Sequence, residues 1–263
     1  MTDATTSYAE VNGQRIAYAD SGGDGPVVIL AHGFLMDADM FAPQVEALSP
    51  EFRVVTWDER GFGNTVTDGE PFTYWDSAAD CLGLLDHLGV ERAIVGGMSQ
   101  GGYLSLRVAL TAPERVRGLV LIDTSADTDD AETLAGYQAM VDTWLAAGPV
   151  DELTSAVAGI IIGDATESER WVAKWRQRDP ASLAQPAACL LGRDDIADRL
   201  GEITCAALVI HGTEDSAISL DRAHAMCAAL SGCTGVVEVP GAAHAANLTH
   251  PAVVNPPLLE FCR

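Results

Sequence analysis

The feature that most limits how this chain can fold is a series of short, mainly apolar runs, each stopped by a glycine, histidine or aspartate. Residues 27–31 end at His32-Gly33, 53–57 end at Asp58, 93–97 run into Met98-Ser99, and 116–122 end at Asp123. Such runs lack the polar alternation of a half-exposed strand. They suit strands covered on both faces, as in a parallel sheet. Helical patterns fall between them. Residues 41–48 read as a short helix, and 74–88 as a longer one with Ala78, Leu82, Leu85 and Leu88 at helical spacing. Residues 7–11 and 15–19 flank Asn12-Gly13, a strong hairpin signal. Strand–helix alternation of this kind predicts an α/β fold with right-handed crossovers.

The rhythm breaks after residue 124. Residues 125–201 show helices and loops but no strand pattern, and they hold Trp144, Trp171 and Trp175. Alternation resumes with a strand at 207–211, a helix near 220–230, a strand at 236–239 and a last helix after His244. The expected organisation is one core, residues 1–124 and 202–263, split by a helical insertion at 125–201. The 263 residues suffice for a full core without staples.

Charge narrows the partners. The formal net charge is −23, and Lys174 is the only lysine among 15 cationic residues. Nucleic acid and anionic membrane surfaces would repel such a chain. Residues 1–6 are polar and unlike a secretion signal, and no apolar run is long enough to span a bilayer. A cytoplasmic protein, monomer or homodimer, is expected. Cys81, Cys189, Cys205, Cys227, Cys233 and Cys262 lack metal-binding spacing and read as mostly buried free thiols. The Cys227–Cys233 spacing leaves open a disulfide closing a short loop.

One motif carries chemistry. Gly97-Met98-Ser99-Gln100-Gly101 lies where a strand ends and a helix begins. Glycines there let the backbone turn sharply and leave the serine exposed. The helix N-terminus adds free N–H groups and a favourable dipole for a developing oxyanion. A serine nucleophile needs a base, and the base an orienting acid. Asp215 follows the 207–211 strand, and His244 follows the 236–239 strand. Both fall at the strand ends where α/β sheets bind ligands. Asp123 also ends a strand, so it is a second candidate acid.

These residues, with His32-Gly33-Phe34, Asp58-Glu59-Arg60-Gly61-Phe62-Gly63, His211-Gly212-Thr213-Glu214-Asp215 and Gly241-Ala242-Ala243-His244, resemble the α/β-hydrolase superfamily. The likeness is to its capped esterase, lactonase and perhydrolase-like branch. It implies a mostly parallel eight-stranded sheet flanked by helices, with a helical cap inserted after the sixth strand. It implies a Ser99–His244–Asp215 triad, with backbone N–H groups of Phe34 and Gln100 as the oxyanion hole. The acid falls to Asp215 rather than Asp123 because His-Gly-x-x-Asp is the superfamily's usual acid loop. Side chains alone would do the chemistry, with no metal or cofactor. His32, His211 and His250 read as structural, and Arg60 as a loop anchor.

Some positions depart from the pattern. No proline follows the acid in Asp215-Ser216-Ala217-Ile218-Ser219, Asn64-Thr65 replaces a common serine, and Ala206-Ala207 replaces a common proline. The insertion should cover Ser99, with Trp144, Leu145, Ile161, Trp171 and Trp175 lining an apolar pocket. A small, neutral, fairly apolar ester or lactone is the expected substrate. A serine at the elbow disfavours dehalogenase and epoxide-hydrolase chemistry, which in this fold uses an aspartate nucleophile. Perhydrolysis, carbon–carbon bond hydrolysis and ligand binding with little turnover stay open.

Overall fold

A computed structural model describes residues 6–263; the polar segment read above as no secretion signal lies, up to residue 5, outside the described residues. The strands are β1 (Ser7–Val11), β2 (Gln14–Asp20), β3 (Val27–Ala31), β4 (Arg53–Trp57), β5 (Ala93–Met98), β6 (Val116–Ile122), β7 (Ala206–Gly212) and β8 (Cys233–Val239). They form one eight-stranded sheet in the order β1-β2-β4-β3-β5-β6-β7-β8. The β1–β2 and β2–β4 pairs are antiparallel, and the other pairs are parallel. Asn12 and Gly13 turn the first hairpin, both at positive φ.

The helices are α1 (Ala42–Leu48), α2 (Tyr74–His87), α3 (Gln100–Thr111), α4 (Ala131–Ala147), α5 (Asp151–Ile161), α6 (Ala165–Trp175), α7 (Ala184–Leu191), α8 (Leu220–Ala229), α9 (Ala246–Thr249) and α10 (Pro251–Cys262). A reciprocal Thr73–Asp76 capping box starts α2. The apolar strands feed two cores. Ile29, Val95, Leu119 and Val209 join α2, α3 and α8 on one face. Val28, Ile94, Val120 and Ile210 join α1 and α10 on the other. Successive strand residues point to opposite faces, so a continuous apolar run serves both.

Helices α4 to α7 occupy the stretch between β6 and β7, which contains no strand among the described residues. Ion pairs fasten both ends of this insertion. Arg222 of α8 binds Asp127 and Asp129, Arg193 also binds Asp129, and Arg107 of α3 binds Asp194. Lys174 on α6 reaches Asp37 and Asp39 in the loop after β3.

The cysteines differ in part from the free-thiol expectation. Cys227 and Cys233 are joined in a disulfide. The tight turn between α8 and β8 brings their Cα atoms to 5.3 Å. Cys81, Cys189, Cys205 and Cys262 are free.

Candidate active site

Ser99 occupies the single residue between β5 and α3, at φ 53° and ψ −115°. That is a costly conformation for a residue with a side chain, and such strain gathers at functional sites. The neighbouring glycines make the turn possible. A Cβ on either Gly97 or Gly101 would collide with the Ala31 carbonyl oxygen. Strand β6 holds the turn from the other side. The Ser99 N–H donates to the Ile122 carbonyl (2.9 Å), and the Thr124 hydroxyl donates to the Ser99 carbonyl (2.8 Å).

His244 and Ser99 line the same cavity, of about 70 Å³. His244 Nδ1–H donates to Asp215 Oδ2 at 2.7 Å, which leaves Nε2 with a free lone pair. The other Asp215 oxygen, Oδ1, accepts the backbone N–H groups of Ala217 (2.8 Å) and Ile218 (3.0 Å). A proline at either position would remove one of these donors, so its absence from this loop has a use. Burial opposes ionisation of Asp215. The His244 and His211 rings and the loop N–H groups overcome it and hold the carboxyl well below the usual range.

His211 stands behind this pair. Its Nε2–H donates to the Ile218 carbonyl (2.8 Å) and lies 3.3 Å from Asp215 Oδ2. Burial would lower its pKa, but Asp215 and Asp123 raise it. Asp123 does not bond to His244. It is fully buried and accepts N–H groups from Gly212 and Ala246. Burial pushes its carboxyl up to about 7, against the pull of His211. Geometry thus places Asp215, not Asp123, on the histidine. Ligand atoms of Asp123, His211 and Asp215 lie within 4.8 Å of one another. Each carboxylate oxygen among them already accepts an N–H donor, and His211 Nδ1 stands 3.9 Å from Asp123 Oδ1, too far for a hydrogen bond.

Among the described residues the Phe34 N–H donates to no protein group, and the Gln100 N–H opens α3, where no intrahelical acceptor exists. Phe34 lines the cavity with Ser99. The loop behind it is fixed by His32, whose Nδ1–H donates to the Gly33 carbonyl (2.8 Å) and whose Nε2 accepts the Glu59 N–H (3.0 Å). Burial keeps His32 neutral by lowering its pKa, against the pull of Asp58. The Gln100 side chain is held by Glu59 (3.1 Å) and Tyr74 (3.3 Å). Burial raises the Glu59 carboxyl well above its ordinary value. Arg60 is ion-paired to the buried Asp80 and so anchors its loop.

The insertion supplies other cavity residues than expected. Ile161 is in the lining, with Tyr137, Met140, Val157 and Ile160. Trp144, Leu145, Trp171 and Trp175 lie elsewhere. The three tryptophans are buried against the core, and Trp175 Nε1–H donates to the Leu35 carbonyl at 2.7 Å. Leu145 follows Trp144 by one residue, about 100° around the helix, and faces solvent. The sequence did carry a signal. Tyr137, Met140, Val141 and Trp144 share one helical stripe, whose first half faces the cavity and second half the core.

An eight-stranded α/β sheet with a strained serine at a strand–helix turn, and a histidine–aspartate pair at the same edge, defines a hydrolase class. The chain belongs to the alpha/beta hydrolase fold family, whose profile matches residues 26–251. A putative non-heme chloroperoxidase of Synechocystis is 28% identical over 260 residues, covering 94% of each chain. A thermophilic esterase from Thermogutta terrifontis superposes with a TM-score of 0.88 at 27% identity, covering 98% of each chain. An enol-lactonase from Burkholderia xenovorans gives 0.85 at 27% identity, covering 97% of this chain and 99% of that one. No helix among the described residues is long and apolar enough to cross a membrane.

Proposed function

We propose that this protein is a serine hydrolase that cleaves a small, neutral, fairly apolar carboxylic ester or lactone through an acyl-enzyme on Ser99. The observation that carries this reading is the His244–Asp215 bond at 2.7 Å beside a strained Ser99 in one cavity. In the proposed cycle His244 Nε2 takes the Ser99 proton as Oγ attacks the carbonyl carbon. The N–H groups of Phe34 and Gln100 hold the oxyanion; one such donor is worth about 3–4 kcal/mol of barrier. His244 returns the proton to the departing alkoxide, and water then releases the acid by the same relay. The apolar lining, which includes Met98, Met140, Val157 and Ile161, favours an uncharged acyl group. The esterase and enol-lactonase likenesses support the same substrate class.

Ser99→Ala should abolish turnover of a short p-nitrophenyl ester and labelling by a fluorophosphonate. Activity at the wild-type level in that variant would refute the assignment. An ester and lactone panel then identifies the acyl group. The chloroperoxidase relative favours a second reading, in which hydrogen peroxide replaces water and the acyl-enzyme yields a peracid. Halogenation of monochlorodimedone in acetate with peroxide tests it.

A further inference from the structure

The proposed cycle uses one of two carboxylates at this sheet edge. The other, Asp123, is fully buried and sits at φ 46°, another backbone position that costs energy. Its backbone N–H donates to the Ile210 carbonyl at 2.9 Å. Its Oδ1 accepts the Gly212 N–H at 2.7 Å, three residues before Asp215. Its Oδ2 accepts the Ala246 N–H at 3.0 Å, two residues after His244. One rigid side chain therefore holds the acid loop and the base loop together.

Its two neighbours hold the nucleophile. The Ile122 carbonyl accepts the Ser99 N–H, and the Thr124 hydroxyl donates to the Ser99 carbonyl. The acid and base loops are also joined directly, by Glu214 N–H to the Ala242 carbonyl (2.9 Å) and Gly241 N–H to the Thr213 hydroxyl (2.9 Å). Those bonds keep Asp215 and His244 aligned with each other. They do not reach the strand beside Ser99, whereas the bonds from Asp123 do.

We propose that Asp123 is a positioning residue for this reaction: with Ile122 and Thr124 it forms a hub that sets the separation between Ser99 and the His244–Asp215 pair. The inference rests on the serine-hydrolase reading above. A carboxyl group is needed because two backbone N–H groups must be accepted at once, one by each oxygen. An asparagine accepts one and turns its own NH₂ toward the other. Position matters steeply, since a displacement of about 1 Å at a reacting centre costs up to about 100-fold in rate.

The test compares wild type, Asp123→Asn and Thr124→Val, with rates expressed per titrated active site. Asp123→Asn should lower kcat by about tenfold or more with KM within about twofold, and slow fluorophosphonate labelling by the same factor. The downfield Nδ1–H proton resonance of His244 should persist, because the acid–base pair moves as a unit. Thr124→Val, which keeps the side-chain shape and leaves the Ser99 carbonyl bonded by Gly102 and Tyr103 N–H groups, should show the same pattern more weakly. It also keeps the hub testable should Asp123→Asn not fold. Wild-type labelling rates in both variants would overturn the hub, as would loss of the His244 resonance in Asp123→Asn. Failure of the wild type itself to label would instead strike the serine-hydrolase reading.

Discussion

Ser99 and Asp123 both lie at positive φ. Neither conformation was readable from residue identity, although the glycines around Ser99 were. Strand position alone left Asp123 and Asp215 both open, because both end strands and both precede His244; the resemblance of His211-Gly212-Thr213-Glu214-Asp215 to the superfamily's acid loop favoured Asp215. What decides it is which carboxylate meets Nδ1, and only β8 folding beside β7 determines that. Asp123 also carries a pH signature. Burial raises its folded pKa to about 7, against about 3.9 when unfolded. A group raised in this way contributes stability that is complete below the unfolded value and is lost as pH rises through the folded one. The amide of an Asp123→Asn variant does not titrate. The stability advantage of wild type over that variant should therefore narrow as pH rises from about 4 to about 8. Urea unfolding at several pH values measures it; an advantage that grows with pH would contradict the assignment.

At the level of elements, the insertion is where reading the sequence reached least far. Helix patterning was visible there, but which face meets the cavity depends on how four helices pack over the sheet edge. Trp175 shows the consequence. It is 1% exposed, packs edge-on to Trp144 at 6.0 Å and donates to the Leu35 carbonyl. Leu35 itself has φ 64° and directly follows Phe34. Trp175→Ala should cost about 3–5 kcal/mol of stability, the usual range for removing a buried tryptophan. It should also slow ester turnover, because the segment carrying the Phe34 N–H loses its brace. Chemical denaturation and kinetics on one preparation check both; full activity with lost stability would confine Trp175 to packing. The Lys174 bonds to Asp37 and Asp39 brace the same segment, but the lysine is about a third exposed and contributes little by comparison.

Over the whole molecule, 38 acidic residues face 15 basic ones, and several of the arginines fasten the insertion to the core. Repulsion among the excess carboxylates opposes compaction, and salt screens it over about 10 Å at 0.1 M. Raising NaCl from about 0.05 to about 0.5 M should therefore raise the urea midpoint, despite some weakening of exposed ion pairs. A falling midpoint would show that the ion pairs outweigh the net charge. The sequence by itself determined the sheet, the elbow and the chain order of the candidate nucleophile, acid and base. Those follow from local rules: which runs are apolar on both faces, where glycine permits a turn, and which residue types end strands. The tertiary structure alone decided that Asp123 ties the acid and base loops to β6. It alone placed the tryptophans in the core, and Tyr137 and Met140 beside the expected Ile161 at the cavity. These are contacts between segments far apart in the chain, fixed by packing rather than by the residues next to them in sequence.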